Sequence, residues 1–146
     1  MIIQRAAAPV RLLTAKAPDA EWTCLARRGM LHSECEAVDL LRLAPGAVVR
    51  HGPAEGVEQA LYVLAGRGEA EEGGTVRELA PGALLLAPHD GRVAVRALGE
   101  GLELLTVRVL PAGAVGRLPA RVPELPEEQR TKTVRQAVTR TTGGES

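Results

Sequence analysis

Short apolar runs separated by Gly and Pro dominate the middle of the chain. Between about Leu31 and Leu110, apolar runs of four to eight residues recur, and each ends at a Gly or a Pro. Such closely spaced turn signals leave no room for a long helix, and they favour an all-β sandwich or barrel. In the stretch from Arg92 to Ala97, Val93 and Val95 alternate with other residues, which predicts a strand with one buried face.

The same pattern predicts where the individual strands lie. Gly73 and Gly74 separate two of them and form a tight hairpin turn, which requires backbone conformations with positive φ. The predicted strands are Glu36–Leu43, Ala47–His51, Gln59–Leu64, Arg67–Glu72, Thr75–Leu79, Ala83–Ala87, Arg92–Ala97 and Leu102–Leu110.

One segment of the chain is echoed later. The run from Leu43 to Val49 (LAPGAVV) resembles the run from Leu79 to Leu85 (LAPGALL). In each, Pro fixes φ at the second turn position and Gly accepts positive φ at the third, which describes a type II turn. Two matching turns predict a barrel built from two related sheets.

The two ends of the chain differ from the middle. We expect an irregular N-terminal arm over residues 1–30, the barrel over residues 31–112 and a C-terminal extension over residues 113–146. Within the extension, residues 126–140 predict a short helix, because Pro126 is tolerated in a first turn and acidic residues follow it.

Composition narrows the classes of function. The chain has 146 residues and a formal net charge of zero, so it has one domain's length and no global field for nucleic acid. Only 1% of its residues are aromatic, too few for a base-stacking platform, and no apolar run is long enough for a membrane span. We therefore expect neither nucleic acid nor membrane as a partner.

The two cysteines, Cys24 and Cys35, lack the spacing of a redox or zinc motif. Cys35 lies between two glutamates, and neighbouring negative charge disfavours its thiolate, so we expect a packing role. The first residues do not resemble a signal peptide. These features predict a reduced, cytoplasmic protein, and the preference for Arg over Lys suggests a bacterial source.

Two segments resemble the motifs of a small single-domain (cupin_2-like) member of the cupin superfamily. The first, Gly46–Gly66, contains His51 and ends in Tyr-Val-Leu-Ala-Gly. The second, Pro81–Val93, has the Pro-Gly, apolar strand and Pro of the second motif. The resemblance implies a double-stranded β-helix (jelly-roll) barrel and a homodimer formed through an outer sheet face.

The metal-binding positions of these motifs are degenerate. His51 matches the first ligand, but Pro53 stands at the second His position and Val93 at the last one. Gln59 stands at the usual Glu position, with Glu58 one residue earlier. Neither Pro nor Val ligates through its side chain, and His with a neutral amide gives a divalent ion no charge compensation. We therefore expect no metal and no other cofactor, unless a substitute ligand comes from His32, Cys35, Asp39, Glu55, Glu58 or His89.

The remaining polar residues define a candidate site. His51 is the candidate catalytic residue, as a general acid or base, because imidazole titrates near physiological pH. The candidate ligand-binding residues are Gln59, Glu58, His89 and Arg50. The alternatives are a structural barrel histidine for His51, a hydrogen bond to His51 for Gln59, and solvated surface positions for His89 and Arg50.

Three function hypotheses follow. The first is a metal-independent cupin that binds a small organic molecule, as an isomerase or cyclase of bacterial small-molecule (secondary) metabolism. The second is a metal-dependent cupin dioxygenase or isomerase with non-standard ligands. The third is a non-enzymatic ligand-binding or sensor domain, which a barrel packed solid with Leu and Val would favour.

Overall fold

The computed structural model describes residues 9–12, 20–27 and 34–117. A one-turn 3-10 helix, Pro53–Glu55, and a four-residue α-helix, α1 Ala112–Val115, are the helical elements of these residues. The strands are β1 Val10–Leu12, β2 Ala20–Arg27, β3 Cys35–Leu43, β4 Val48–His51, β5 Glu58–Glu72, β6 Thr75–Leu79, β7 Leu84–Ala87 and β8 Val93–Val109.

The strands form an antiparallel barrel, which confirms the predicted all-β cupin-type fold. The strand order is β1-β2-β3-β8-β5-β6, with β4 also paired to β8 and β7 also paired to β5. The two longest strands therefore serve both halves of the barrel. One end of β8 pairs with β4 and the other with β3, while β5 pairs with β7 at its start and with β6 at its end.

Each long strand joins two segments that the sequence pattern had separated. The stretch Gln59–Leu64 continues through Gly66 into Arg67–Glu72, and the stretch Arg92–Ala97 continues through Gly101. Gly66 and Gly101 have φ of 82° and 110°, and a Cβ on Gly66 would overlap the carbonyl oxygen of Gly101. The glycines let the strands bend and touch without breaking, which a simple count of turn signals misses.

The two Pro-Gly turns have the predicted geometry. Gly46 and Gly82 have φ of 80° and 88°, and each turn is closed by a hydrogen bond of 2.9 Å, from Ala47 N–H to Ala44 and from Ala83 N–H to Ala80. The echo extends to the neighbouring strands. Gly46 N–H donates to the carbonyl of Ala97, and Gly82 N–H donates to that of Val63, both at 2.9 Å.

The N-terminal arm is more regular than expected. Its described residues form β1 and β2, and β2 pairs with β3 from Ala20↔Leu43 to Arg27↔Ala37. The alternation of Ala20, Trp22 and Cys24 is short and is broken by a bulge after Cys24, so the sequence pattern did not predict a strand. The predicted helix at residues 126–140 lies outside the described residues, and α1 was not predicted.

The core is aliphatic. Most of its buried side chains lie at inward positions of β3, β5 and β8, and Trp22 packs against this cluster. The most deeply buried members are Val63, Ala97, Leu104, Ala47, Ala87 and Val95. The described part of the chain contains no helix with the length and hydropathy of a transmembrane segment.

Candidate functional site

The site is built around His51, the last residue of β4. Residues alternate along the strand, so Val49 and His51 turn inward while Arg50 turns outward. His51 is 6% exposed, and its register partner on β8 is Val93. Two positions of the degenerate metal motif therefore meet inside the barrel, but one of them carries an isopropyl group in place of an imidazole.

Gln59, at the start of β5, lies on the same wall of the barrel interior as Leu61. Together with His51 and Glu55 it lines an internal cavity of about 60 Å³. Glu58 is exposed and lies on the opposite side of β5, as the two-residue period predicted. The cavity has room for about two water molecules, whereas ligand pockets usually have volumes of roughly 300–1,000 Å³. Most of any organic ligand must therefore lie outside it.

The hydrogen bond of His51 defines the state of its ring. Nε2 lies 3.1 Å from the carbonyl oxygen of Pro88, which can only accept, so Nε2 carries a proton. In the neutral ring Nδ1 is then an unprotonated acceptor. Nδ1 is buried and has no hydrogen-bond partner among the described residues, so no bond joins it to Gln59. A buried polar atom left unpaired is costly and is typical of functional sites.

Glu55 faces this unpaired nitrogen. Its Oε1 lies 3.8 Å from Nδ1, and its side chain is 37% exposed. The 3-10 turn that carries Glu55 begins after Gly52 and ends at Gly56, whose φ is 66°. The 3.8 Å distance is longer than a hydrogen bond, so the carboxylate lies next to Nδ1 without satisfying it. Sequence reasoning considered Glu55 only as a substitute metal ligand, although its i+4 spacing from His51 is a usable signal.

The described residues around His51 do not form a transition-metal site. Among residues 9–12, 20–27 and 34–117, no group of three His, Cys, Asp or Glu side chains could hold a metal ion. Nε2 of His51 is hydrogen-bonded to the Pro88 carbonyl. The other polar side chains that line the cavity include one carboxylate, Glu55, and one neutral amide, Gln59. Of the possible substitute ligands, His32 lies outside the described residues.

Glu58 and His89 meet each other but not His51. Their closest approach is 3.8 Å, between Oε1 of Glu58 and Nδ1 of His89, and about half of each side chain is exposed. An exposed pair of this kind contributes little stability. These two candidate ligand-binding residues therefore form a separate pair at the surface, close in sequence to the Pro88 carbonyl that holds His51.

Arg50 connects the cavity to the surface. An open groove of about 500 Å³ shares Arg50, His51, Glu55 and Val93 with the cavity, and it also contacts Arg92 and Glu71. The groove has the volume of a small-molecule site. The candidate site thus has a small inner chamber at His51 and a larger outer groove.

A second polar pair inside the barrel was missed by the sequence analysis. Asp39 is 2% exposed, and its Oδ2 accepts a hydrogen bond of 2.8 Å from Nη2 of Arg108. Arg108 is the register partner of Gln59, so the two share the inner face. The signal was present, because Asp39 interrupts the apolar positions of β3 and needs a buried partner.

Both cysteines are poor nucleophiles. Burial raises the pKa of the Cys24 thiol, and the adjacent Asp39 carboxylate raises it further. Burial also raises the pKa of Cys35, with Glu36 and Asp39 adding to the effect. Neither cysteine forms a disulfide. The expectation that negative charge disfavours the Cys35 thiolate is confirmed in direction, with burial as the larger cause.

Comparison with known proteins relates the fold to solved structures. No protein-family model and no curated protein matches the chain. A predicted oxalate decarboxylase from Thermotoga maritima matches with a TM-score of 0.58 and 20% identity, over 70% of this chain and 92% of that one. KdgF from Halomonas sp. matches with a TM-score of 0.56 and 21% identity, over 72% and 91% of the two chains.

A third similar structure is the cupin_2 domain of an XRE family transcriptional regulator from Enterobacter cloacae. Its TM-score is 0.55 and its identity 22%, over 63% of this chain and 97% of that one. At such low identity these likenesses establish the fold and nothing finer. The strand order, the paired Pro-Gly turns and these neighbours together show that the chain has the cupin fold.

Proposed function

We propose that this chain is a metal-independent cupin that binds a small organic molecule and transfers a proton at His51, as an isomerase or cyclase does. The observation that carries the proposal is the buried, unpartnered Nδ1 of His51, with Glu55 at 3.8 Å and an open groove beside it. A packed structural histidine would normally have both ring nitrogens satisfied.

The chemistry assigned to each residue follows from its position. The Pro88 carbonyl holds the ring with Nε2 protonated, so Nδ1 is the basic atom. Glu55 stabilises the imidazolium and, being partly exposed, can carry a proton between Nδ1 and the groove. Gln59 lines the chamber and offers an amide to a ligand carbonyl or hydroxyl.

Proton transfer can be tested without knowing the substrate. Small ketones, hydroxy acids and sugar acids are incubated with the protein in D₂O and EDTA, and loss of C–H signals is followed by NMR. We expect the wild type to exchange a C–H proton of at least one compound. His51→Gln keeps an N–H near Pro88 but removes the base, so it should remain folded and lose exchange by about 100-fold or more.

The same experiment discriminates between the hypotheses. Exchange that EDTA abolishes and a transition metal restores would support the metal-dependent alternative. Undiminished exchange in His51→Gln would refute the catalytic role of His51. Binding of a compound with no exchange of any C–H would favour a ligand-binding domain.

A ligand-binding domain is the second candidate function. The observation that favours it is the small volume of the inner chamber, about 60 Å³, in a barrel otherwise packed with aliphatic side chains. One of the similar structures is the cupin domain of a transcriptional regulator. In this case His51 would select a ligand and carry out no reaction.

We also propose that the chain forms a homodimer through one outer sheet face. Two rows of apolar residues cross this face in register, and we call them the outer apolar face. Four of the eight residues are Leu84, Leu86, Tyr62 and Ala60, and the first three are 59%, 67% and 42% exposed. The rows are Leu84–Tyr62–Leu105–Leu40 and Leu86–Ala60–Val107–Val38.

A second copy of the chain is the occupant that best fits this face. None of its eight side chains is charged, so an identical flat surface related by a two-fold axis meets no like-charge repulsion. Two sheets packed in this way bury their aliphatic side chains against each other. Apolar patches of this kind on single chains commonly mark such interfaces.

A further inference from the structure

The outer groove beside His51 has a floor and two walls set by strand register. Arg50 on β4, Ala94 on β8 and Glu71 on β5 form one row across three strands. Ala94 has a small side chain and lies between two residues with long ones. Arg50 and Glu71 therefore lie on opposite sides of a depression above Ala94. Two strand spacings separate them, about 10 Å.

A second arginine stands at one end of this depression. Arg92 precedes Val93, and continuing the β4–β8 register places it opposite Gly52 and diagonal to Arg50. Diagonal neighbours of this kind lie about 7–8 Å apart, within reach of two long side chains. A Cβ on Gly52 would meet nothing within 4 Å, so there is open space at Gly52, which lines the same groove as both arginines.

These two arginines differ from others on the surface of the barrel. Arg96 lies 3.4 Å from Glu69, Arg67 lies 3.5 Å from Glu78, and Arg42 lies 3.2 Å from Glu103. Arg50 and Arg92 form no such pair within the described residues, although Glu71 and Glu55 line the same groove. Glu55 faces the His51 ring, and Glu71 stands on the far wall.

We infer that the groove binds the oxyanion group of a small organic molecule between Arg50 and Arg92. Guanidinium groups bind carboxylate and phosphate oxygens through paired, charge-assisted hydrogen bonds. A molecule held there has its other end directed to the wall that the groove shares with the chamber, where His51 lies. The inference deepens the proposed function, because it names the class of ligand that the same site takes.

The groove volume supports an organic anion over a bare inorganic one. At about 500 Å³ the groove exceeds what an inorganic ion fills, and the arginines occupy only one part of its wall. The rest of the lining includes Ala54, Val93 and Ala94, which suit a short carbon skeleton.

The test is an NMR titration of the full-length protein with succinate, inorganic phosphate and uncharged succinamide, following the amide signals of Gly52, Gly73 and Ala94. We expect succinate or phosphate to shift these signals saturably at millimolar concentration and succinamide to leave them unchanged. Arg50→Gln and Arg92→Gln should each weaken the anion by about tenfold or more. Tighter binding of succinate indicates a carboxylate ligand, and tighter binding of phosphate indicates a phosphate ester.

Arg77→Gln is the matched control. Arg77 is exposed on β6, is not part of the groove lining and forms no ion pair within the described residues. Its substitution should leave the affinity for the anion unchanged, while Glu71→Gln should raise it by removing a like charge. No saturable shift with either anion, or equal weakening in Arg77→Gln, would overturn the inference.

The inference and the proposed function fail separately. His51→Gln should still bind the anion, because the arginines do not depend on the imidazole. Anion binding without proton exchange would retain the groove as an oxyanion site and remove the catalytic role. Proton exchange only with uncharged compounds, unaffected by Arg50→Gln, would remove the groove assignment alone.

Discussion

Arg108 donates a hydrogen bond of 2.8 Å from Nη2 to Oδ2 of Asp39 and so joins β8 to β3 inside the barrel. The two partners differ in their access to solvent. The side chain of Asp39 is 3% exposed, whereas that of Arg108 is 33% exposed. Losing one partner therefore has a different consequence from losing the other.

Arg108→Ala should destabilise the fold more than Asp39→Asn. Removing Arg108 leaves a buried carboxylate without its counterion, which costs about 3 kcal/mol, while Asp39→Asn leaves a partly solvated guanidinium and costs about 1 kcal/mol. Urea unfolding measures both. The double variant Asp39→Asn/Arg108→Met should lie close to Asp39→Asn, and a loss equal to the sum of the single effects would contradict this account.

Asp39→Asn should also make Cys24 more reactive. It removes the charge that helps to raise the pKa of the thiol, so the thiolate fraction at neutral pH increases. Alkylation of the folded protein by iodoacetamide, with the modified cysteine identified by mass spectrometry, measures the change. Cys35 serves as the comparison and should change less, since burial and Glu36 raise its pKa ahead of Asp39. A Cys24 rate unchanged relative to Cys35 would count against the electrostatic cause.

The raised thiol pKa values predict a loss of stability at alkaline pH. Between the ordinary thiol pKa of about 8.5 and the raised values, the folded chain holds more protons than the unfolded chain. The free energy of unfolding is therefore fully retained below this window and falls as pH rises through it. In urea titrations, the free energy of unfolding of a Cys24→Ser/Cys35→Ser variant should fall less between about pH 8 and pH 10 than that of the wild type. An equal fall in the two proteins would contradict the prediction.

Gly66→Ala should be much more harmful than Gly99→Ala. Both glycines have positive φ, and an Ala in that conformation costs about 1 kcal/mol. A Cβ on Gly66 also overlaps the Gly101 carbonyl, whereas one on Gly99 meets nothing within 4 Å. Overpacking adds about 1–3 kcal/mol at Gly66, so thermal melting should separate the two variants. Equal melting temperatures would contradict the close contact of β5 with β8.

Leu86→Arg should convert the proposed dimer to a monomer. It places a charge in the outer apolar face, where a two-fold contact brings it near its own copy. Val76→Arg is the control, because Val76 is 57% exposed on β6 beside Glu71 and lies outside the two rows. Light scattering after gel filtration should give twice the chain mass for wild type and Val76→Arg. A wild-type monomer would refute the dimer.

The fold could be predicted because turn chemistry is local. Positive φ is a backbone conformation that few residue types adopt, and it is required by both Pro-Gly turns and by the Gly73-Gly74 hairpin. Gly46, Gly82, Gly73 and Gly74 all have positive φ in the structure. Strand continuity was less predictable. Gly66 and Gly101 resemble turn residues in the sequence, yet they act as bends because of a contact between distant strands.

The site was predictable only in part, because side-chain partners come from separate strands. The motif resemblance located His51, Gln59 and Val93, which the structure brings to one end of the barrel. It did not indicate that Pro88 occupies Nε2 or that Glu55 faces Nδ1. Those contacts depend on loop conformation, which residue spacing does not determine.

The long pairing of β5 with β8 has a consequence for how the protein unfolds. The two strands pair from Glu58↔Val109 to Glu71↔Ala94, with register shifts only around Gly66, and every other strand from β3 to β7 pairs with one or the other. Neither half of the barrel can open while this seam is closed. Loss of structure should therefore be all-or-none, and refolding slow, since the seam joins residues far apart in the chain.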